Sequence, residues 1–202
     1  LTDKAKEELL CELNINEVGK SVNGLIKAET LAEKNLIYNT SECNQITELS
    51  SILSENRFNE VQNRLRSVGM RPGFCCIFYG APGTGKTETV YQLARQTGRD
   101  IMRVDVDKIK SCWVGESEKN IKALFDRYRN ICKNSKLAPI LLFNEADAVL
   151  GVRMEGAAKA VDKMENSIQN IILQEMETLE GIMIATTNLT TNLDKAFERR
   201  FL

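Results

Sequence analysis

The 202-residue chain contains no histidine, only 3 prolines and a single tryptophan. Without histidine, the chain cannot carry a Ser-His-Asp triad, imidazole acid–base chemistry or a zinc site built on histidine. Its longest apolar runs are far shorter than the roughly 20 residues of a membrane-spanning helix, so we expect no membrane insertion. The 27 basic and 28 acidic residues nearly balance. This balance disfavours a nucleic acid as the main partner, because phosphate backbones attract a basic excess.

The composition is that of a globular domain. Hydrophobic residues make up 43% of the chain and charged residues 27%, which excludes a disordered or low-complexity protein. None of the 6 cysteines forms a CxxC pair, and Cys75 and Cys76 lie inside an apolar run where thiols behave as small hydrophobic groups. We therefore expect reduced cysteines and a cytoplasmic location.

Four short apolar runs predict buried strands, and helical periodicity between them predicts helices. The strands are expected at residues 74–79, 101–106, 140–143 and 182–185. The helices are expected at residues 88–96, 117–131 and 166–179, with a further helix or helix pair at residues 43–68. Alternating strands and helices predict an α/β fold, in which a parallel sheet is covered by helices on both faces.

A glycine-rich motif of the form G-x-x-x-x-G-K-T lies between the first strand and the helix after it. Glycines let backbone N–H groups approach phosphates closely, and the following helix directs its positive end towards them. A glycine-rich turn without a ligand is the alternative, but chance should give four matching positions in fewer than about 1% of chains this long. Lys86 is expected to reach the β- and γ-phosphates, and the Thr87 hydroxyl to bind Mg²⁺. The predicted nucleotide-binding residues are Gly80, Ala81, Pro82, Gly83, Thr84, Gly85, Lys86, Thr87 and Glu88.

The third predicted strand ends in the sequence Asn144-Glu145, which has one carboxylate. A carboxylate at this end of a strand faces the phosphate loop, where a water-activating base is needed. Glu145 is therefore the candidate general base. An acid in a solvated loop is the alternative for an isolated glutamate.

With two further segments, these motifs make the chain resemble an AAA ATPase domain of the AAA+ superfamily. One segment is the sequence W-V-G-E-S-E-K at residues 113–119, which is similar to the family's pore loop and the helix start after it. The other is A-T-T-N at residues 185–188 with A-F-E-R-R-F at residues 196–201, which resembles the sensor-1 strand and the arginine-finger segment. The resemblance implies a three-layer αβα P-loop NTPase core at residues 36–202, preceded by a helical extension at residues 1–35.

The resemblance also implies roles for single residues. Asn188 would help to position the attacking water, and Arg199 and Arg200 would reach into the nucleotide site of a neighbouring subunit. Trp113, with Val114 and Gly115, would grip an extended polypeptide in the pore of the ring. A tryptophan is otherwise often a core aromatic, and the charged stretch at residues 153–166 is either a second pore loop or a solvated face.

The chain departs from the family pattern in two places. The family normally has Asp-Glu at residues 144–145, and here Asn144 keeps an acceptor of the same shape without the negative charge. Losing a charge-assisted hydrogen bond costs about 1 kcal/mol, roughly a fivefold effect, so we expect Asn144 to bind Mg²⁺ weakly and ATP turnover to be slow. In addition, the family's last core strand and C-terminal helical lid are absent from the sequence, so we expect a core truncated before the lid.

The sequence therefore predicts a Mg²⁺-dependent ATPase that binds ATP and ADP. The resemblance implies a homo-oligomeric ring, a hexamer in the intact protein, which would remodel or thread a protein substrate. A nucleotide-gated assembly switch with slow hydrolysis, caused by Asn144, is the alternative. A DNA-handling ATPase of the clamp-loader or helicase type is a third possibility, which the acidic pI near 5.8 disfavours.

Overall fold

A computed structural model of the chain describes residues 25–106, 117–151, 160–188 and 193–201. Within these ranges, four parallel strands form one sheet in the order β1-β4-β3-β2. The strands are β1 Phe74–Tyr79, β2 Ile101–Asp105, β3 Ile140–Asn144 and β4 Ile182–Thr187. Strands β3 and β4 are buried along their whole length, which explains why their sequences are continuous apolar runs.

The helices lie between and before the strands. They are α1 Thr40–Ile52, α2 Glu55–Ser67, α3 Lys86–Thr97, α4 Ser117–Asn134, α5 Asp147–Leu150, α6 Ala160–Glu177 and α7 Lys195–Glu198. Local sequence explains the ends of several of them. Asn39 and Glu42 form a capping box at the start of α1. Gly98 ends α3 in the left-handed conformation at φ 67°.

Helices cover both faces of the sheet, which confirms the predicted three-layer α/β fold. One face packs against α4 and α6 through side chains such as Phe125, Tyr128 and Ile172. The other face packs against α3 and, further out, against Leu53 and Phe58 at the junction of α1 and α2. Adjacent residues of a strand point to opposite faces, so Cys75 belongs to the first cluster and Cys76 to the second. Both thiols are buried and free, as the sequence predicted.

Several element bounds differ from the predicted ones. The helical stretch at residues 43–68 is a pair, because the chain turns at Leu53 and Ser54 between α1 and α2. Helix α6 begins six residues before the predicted start at residue 166. Residues 25–35 of the predicted helical extension contain one short 3₁₀ turn, Ala28–Thr30, and otherwise run as irregular chain. Residues 1–24 lie outside the described ranges, so a helix there stays a prediction.

The segment after the 3₁₀ turn lies along α3, the helix that follows the phosphate loop. Gln92 donates to the Ala32 carbonyl (2.9 Å) and accepts from the Lys34 N–H (3.2 Å). Tyr38 donates its hydroxyl to Thr89 (3.1 Å), one turn from the loop. Ile26 forms a single antiparallel bridge with Ile101 at the β2 edge of the sheet. In the part of the chain that the structure describes, no helix has the length and apolar character needed to cross a membrane.

Candidate nucleotide site

The candidate site lies at the carboxyl edge of the sheet, where parallel strands all end. The phosphate loop follows β1, Asn144 and Glu145 end β3, and Asn188 follows β4. Because β4 pairs with both β1 and β3, the three strand ends are neighbours. An open parallel sheet characteristically binds ligands at this edge.

The phosphate loop has a backbone that only glycine adopts without strain. Gly83 and Gly85 have φ values of 78° and 84°, and no heavy atom lies within 4 Å of the place where a Cβ would stand on either residue. Gly85 directly precedes α3, whose first N–H groups have no partner within the helix. The loop therefore presents an open concave backbone with donor groups, which suits a phosphate chain.

Lys86 directs its ammonium group back over the loop. Its Nζ donates to the carbonyl oxygens of Gly80 (2.9 Å) and Ala81 (2.8 Å) and to Oδ1 of Asn188 (3.0 Å). All three partners are neutral, so the positive charge is not compensated by these contacts. The predicted phosphate-binding lysine and the predicted sensor are thus in direct contact, although 102 positions separate them in the sequence.

Asn144 is buried beneath the loop and joins it to the sheet. Its Oδ1 accepts from the hydroxyls of Thr87 (2.7 Å) and Thr186 (3.2 Å). An amide oxygen thus serves as the acceptor for both hydroxyls, and the loop geometry is formed with asparagine in this position.

Glu145 has an exposed side chain and a backbone in the left-handed region at φ 53°. Among the described residues it is the only one other than glycine with such a φ. A glutamate in this conformation costs of order 1 kcal/mol and is kept only where surrounding contacts impose it. One such contact is the hydrogen bond from the Glu145 N–H to the Thr186 hydroxyl (3.1 Å). Glu145 is thus exposed directly after β3, at the same edge of the sheet as the phosphate loop.

Asp147 and Thr186 are site residues to which sequence reasoning gave no role. Asp147 accepts from the Asn188 N–H (2.7 Å), from the Asn188 side-chain amide (3.0 Å) and from the Thr187 hydroxyl. Thr186 lies inside the A-T-T-N segment, and Asp147 follows shortly after Glu145, so both positions were visible in the sequence. Their partners were not, because these contacts join the end of β3 and the start of α5 to the end of β4 and the residue after it, across about 40 residues of sequence.

Glu88 is already paired within the chain. Its carboxylate forms an ion pair with Lys34 (2.7 Å) and accepts from Gln92 (2.9 Å). Burial alone would raise the pKa of Glu88, but the hydrogen bonds from Lys34 and Gln92 outweigh it and hold the pKa below its ordinary value. The carboxylate thus holds the segment before α1 against α3, and a contact between Glu88 and nucleotide stays a prediction.

The two adjacent arginines have different surroundings. Arg200 donates to the Ala196 carbonyl (2.8 Å) and forms an ion pair with Glu177, and its buried Nε has no acceptor among the residues that the structure describes. Arg199 is exposed at the end of α7. The predicted pore-loop residues Trp113, Val114 and Gly115 lie outside the described residues.

The oxygen-rich donor set beside the loop fits Mg²⁺. The Thr87 hydroxyl and Asn144 Oδ1 are 2.7 Å apart and both belong to the hard ligands that Mg²⁺ prefers. Within the described ranges, no group of three His, Cys, Asp or Glu side chains could hold a metal. This arrangement suits an ion that takes one or two protein ligands and completes its shell with phosphate oxygens and water.

Comparison with known proteins identifies a single family. The profile of the ATPase family associated with various cellular activities (AAA) matches residues 76–202. Cell division protein C of Sulfolobus acidocaldarius is 31% identical over 132 residues, which cover 62% of this chain and 34% of that protein. The 26S proteasome regulatory subunit 7 homolog of Saccharomyces cerevisiae is 30% identical over 143 residues, covering 67% of this chain and 29% of that protein.

A human relative gives the same result over a similar stretch. ATPase family AAA domain-containing protein 2 is 32% identical over 148 residues, which cover 66% of this chain and 10% of that protein. The matched region thus spans about a third or less of the length of these three relatives.

Proposed function

The chain belongs to the AAA family of ATPases, and from this premise we propose that it binds ATP at the loop of residues 80–87 and hydrolyses it. The observation that carries the proposal is the contact of Lys86 with Asn188 at 3.0 Å, beside the strained Glu145. A phosphate-binding cation, a water-orienting amide and a base are the three groups that the reaction requires, and all three follow neighbouring strands.

In the proposed reaction, Lys86 exchanges its neutral partners for the β- and γ-phosphate oxygens of ATP. Loop N–H groups and the start of α3 bind the same phosphates. Water held near Asn188 gives a proton to Glu145 while its oxygen attacks the γ-phosphorus. The bond to the β-phosphate oxygen breaks, and ADP and inorganic phosphate leave. Thr87, with Asn144 beside it, would hold Mg²⁺, which would neutralise negative charge on the phosphates.

We further propose that the protein works as a homo-oligomeric ring in which Arg199 acts on the nucleotide of a neighbouring subunit. Arg199 is exposed at the end of a short helix, whereas Arg200 is engaged with Glu177 and Ala196 of its own chain. Arg200 reaches a neighbour only if it leaves these partners. An exposed guanidinium can stabilise transition-state charge on a phosphate in trans.

The substrate proposal is remodelling or threading of a protein. It is supported by the similarity to a proteasome regulatory subunit homolog and by the pattern W-V-G at residues 113–115. Cytoplasmic action fits the reduced cysteines. The acidic pI near 5.8 argues against a DNA-handling role.

Asn144 favours a second candidate function, a nucleotide-gated assembly switch that hydrolyses ATP slowly. The amide occupies the position where the family carries a charged oxygen, and its Oδ1 already accepts two hydroxyl hydrogen bonds. In this case ATP binding would hold subunits together and hydrolysis would act as a slow timer.

Mg²⁺-dependent ATP hydrolysis, measured across a range of protein concentrations, tests the proposal. We expect specific activity to rise with concentration and to be lost in Lys86→Ala and Arg199→Ala. Lys136→Ala is the matched control, because Lys136 is a largely exposed lysine whose Glu55 partner lies at 3.6 Å. Tight ATP binding without turnover at any concentration would contradict the motor and support the switch. Absence of ATP binding would contradict both.

A further inference from the structure

Asp147 holds the end of β4 in one arrangement by three hydrogen bonds. It is the first residue of α5, three positions after Asn144. One carboxylate oxygen accepts from the Asn188 N–H (2.7 Å) and from the Thr187 hydroxyl, and the other accepts from Asn188 Nδ2 (3.0 Å). The backbone and the side chain of Asn188 are therefore both attached to the same carboxylate.

The charges on either side of Asn188 determine which way its amide faces. The NH₂ group points at the Asp147 carboxylate and the carbonyl oxygen points at the Lys86 ammonium, which donates to it at 3.0 Å. Turning the amide over would place oxygen against the carboxylate and NH₂ against the ammonium. Both contacts would be repulsive, because a carboxylate only accepts and an ammonium only donates. The hydrogen-bond network thus admits a single orientation.

We propose that Asp147 is a positioning residue that makes Asn188 present an acceptor oxygen, and not a donor, to the reacting groups. This inference rests on the proposed ATP hydrolysis. When Lys86 moves to the phosphates of a bound nucleotide, Asp147 continues to hold the NH₂ group. The free Oδ1 then attracts a hydrogen of the attacking water and repels the oxygens of the γ-phosphate. Asn188 orients the water by one hydrogen while Glu145 accepts the other.

The same contacts argue that Asp147 is neither the base nor a metal ligand. A carboxylate has about four acceptor positions, and three are taken by Thr187 and Asn188. All three donors belong to the end of β4. The influence of Asp147 on the reaction therefore passes through Asn188.

A double-mutant cycle measures whether the effect of Asp147 on ATP hydrolysis depends on Asn188. The variants are Asp147→Asn, Asn188→Ala and the double substitution, with kcat for ATP hydrolysis and Kd for ATP determined separately. A misoriented reacting group costs up to about 100-fold in rate, so we expect Asp147→Asn to lower kcat about 10- to 100-fold and to leave Kd within about threefold. In the Asn188→Ala background, Asp147→Asn should have no further effect on kcat. Asp126→Asn, at an exposed residue paired with Arg129 on α4, is the matched control and should change nothing.

Equal losses from Asp147→Asn with and without Asn188 would overturn the proposal, as would a loss confined to Kd. A second measurement does not require turnover. The side-chain NH₂ signal of Asn188, identified by its disappearance in Asn188→Ala, should shift in Asp147→Asn and stay in place in Asp126→Asn. An unchanged signal would overturn the orientation, whereas a shifted signal in a protein that does not hydrolyse ATP would contradict the proposed function alone.

If Asp147→Asn does not fold, the wild-type protein bound to ADP and aluminium fluoride decides the question. A structure of that complex should keep Asn188 Nδ2 within hydrogen-bonding distance of Asp147, with Oδ1 towards the water that mimics the nucleophile. An amide turned away from Asp147, with its NH₂ group on a fluoride, would overturn the proposal.

Discussion

The two edges of the same sheet use polar side chains in opposite ways. At the carboxyl edge, Lys86, Asn144 and Asn188 bond mainly to other side chains and to loop carbonyls, and much of the network faces solvent. At the amino edge, Arg99 and Tyr128 are buried and hydrogen-bond mainly to backbone groups.

Arg99 shows how the amino edge is built. Only 1% of its surface is exposed, and its guanidinium donates to the carbonyls of Leu53 (2.9 Å) and Ala138 (2.7 Å) while lying 4.7 Å from the Phe58 ring centre. These contacts tie the turn between α1 and α2 to the chain entering β3. Burial lowers the pKa of Arg99, but a guanidinium stays charged inside proteins.

On the other face of the sheet, Tyr128 also hydrogen-bonds to backbone groups where strands begin. Its hydroxyl lies 2.8 Å from the Pro139 carbonyl and 3.0 Å from the Ile182 carbonyl, and it accepts from the Ile182 N–H at 2.8 Å. A Cβ on Gly181 would stand 2.2 Å from this hydroxyl, so the close approach requires glycine. One hydroxyl thereby joins the starts of β3 and β4 to α4.

The two edges differ in the type of hydrogen-bond partner. Backbone partners at the amino edge stabilise the fold, whereas side-chain partners at the carboxyl edge serve the proposed function. A backbone carbonyl keeps its position as long as its segment stays folded. The hydrogen bonds at the amino edge are therefore a fixed part of the folded protein. Side-chain partners at the carboxyl edge can be exchanged for phosphate oxygens and water without unfolding a strand. Substitutions at the amino edge should therefore change the free energy of unfolding, and substitutions at the carboxyl edge should change the rate of ATP hydrolysis.

The largest effect is expected for Glu145→Gln at the carboxyl edge. Removing a general base typically costs 10²- to 10⁴-fold in rate, so kcat should fall by about that factor. The melting temperature should stay within about 2 °C, because the side chain is exposed and the backbone strain is the same for glutamine. Steady-state hydrolysis and thermal melting measure the two quantities. Glu60→Gln, at an exposed position of α2, serves as the control; a kcat above a tenth of wild type would remove Glu145 as the base.

The next largest effect is expected for Arg99→Met at the amino edge. Two buried carbonyls lose their donors, at about 1–3 kcal/mol each, while the apolar stem is retained. We expect the free energy of unfolding to fall by about 3 kcal/mol in urea denaturation and the affinity of the folded protein for ATP to stay unchanged. Arg64→Met on the exposed side of α2 should change stability by less than about 0.5 kcal/mol. If Arg99→Met bound ATP more weakly but kept the wild-type stability, the assignment of stability to the amino edge and of function to the carboxyl edge would be wrong.

A smaller loss is expected for Tyr128→Phe. The ring still packs, but Pro139 and Ile182 lose a shared partner, which should cost about 1–3 kcal/mol. For a domain of this size, each kcal/mol lowers the melting temperature by about 2–4 °C. Calorimetry measures the melting temperature of Tyr128→Phe. Tyr79→Phe is the control, because the Tyr79 side chain is exposed. Identical melting of the two variants would show that the Tyr128 hydroxyl contributes nothing.

The smallest effect is expected for Asn144→Asp, which sharpens the comparison because it adds a charge to a buried polar side chain beneath the phosphate loop. Restoring a charge-assisted hydrogen bond is worth about 1 kcal/mol, so turnover should rise about fivefold and half-maximal activity should need less Mg²⁺. Without Mg²⁺, the buried carboxylate should lower the melting temperature. Asn130→Asp, exposed on α4, is the control. A gain far above tenfold would favour the slow assembly switch as the natural role.

Local sequence determined the four strands, the longer helices and the glycine turn of the phosphate loop, although not every element bound. The strands predicted at residues 74–79, 101–106, 140–143 and 182–185 are mainly apolar runs, and β3 and β4 are buried along their whole length. The turn at Gly83 and Gly85 depends on φ values that only glycine adopts freely. Glu145 was selected because it follows a predicted strand, and Asn188 because its segment resembles the sensor-1 strand of the family. The roles of both residues stay proposals.

Only the tertiary structure decided which polar groups meet. Asp147 contacts Asn188 across 41 residues, Lys86 contacts Asn188 across 102, and Arg99 contacts Leu53 across 46. It also separated Arg199 from Arg200, which are adjacent and chemically identical, by giving Arg200 the partner Glu177. The physical reason is that burial and glycine conformation are properties of a residue and its near neighbours. A hydrogen bond between strands instead depends on their order and register, which the packing of the whole sheet sets.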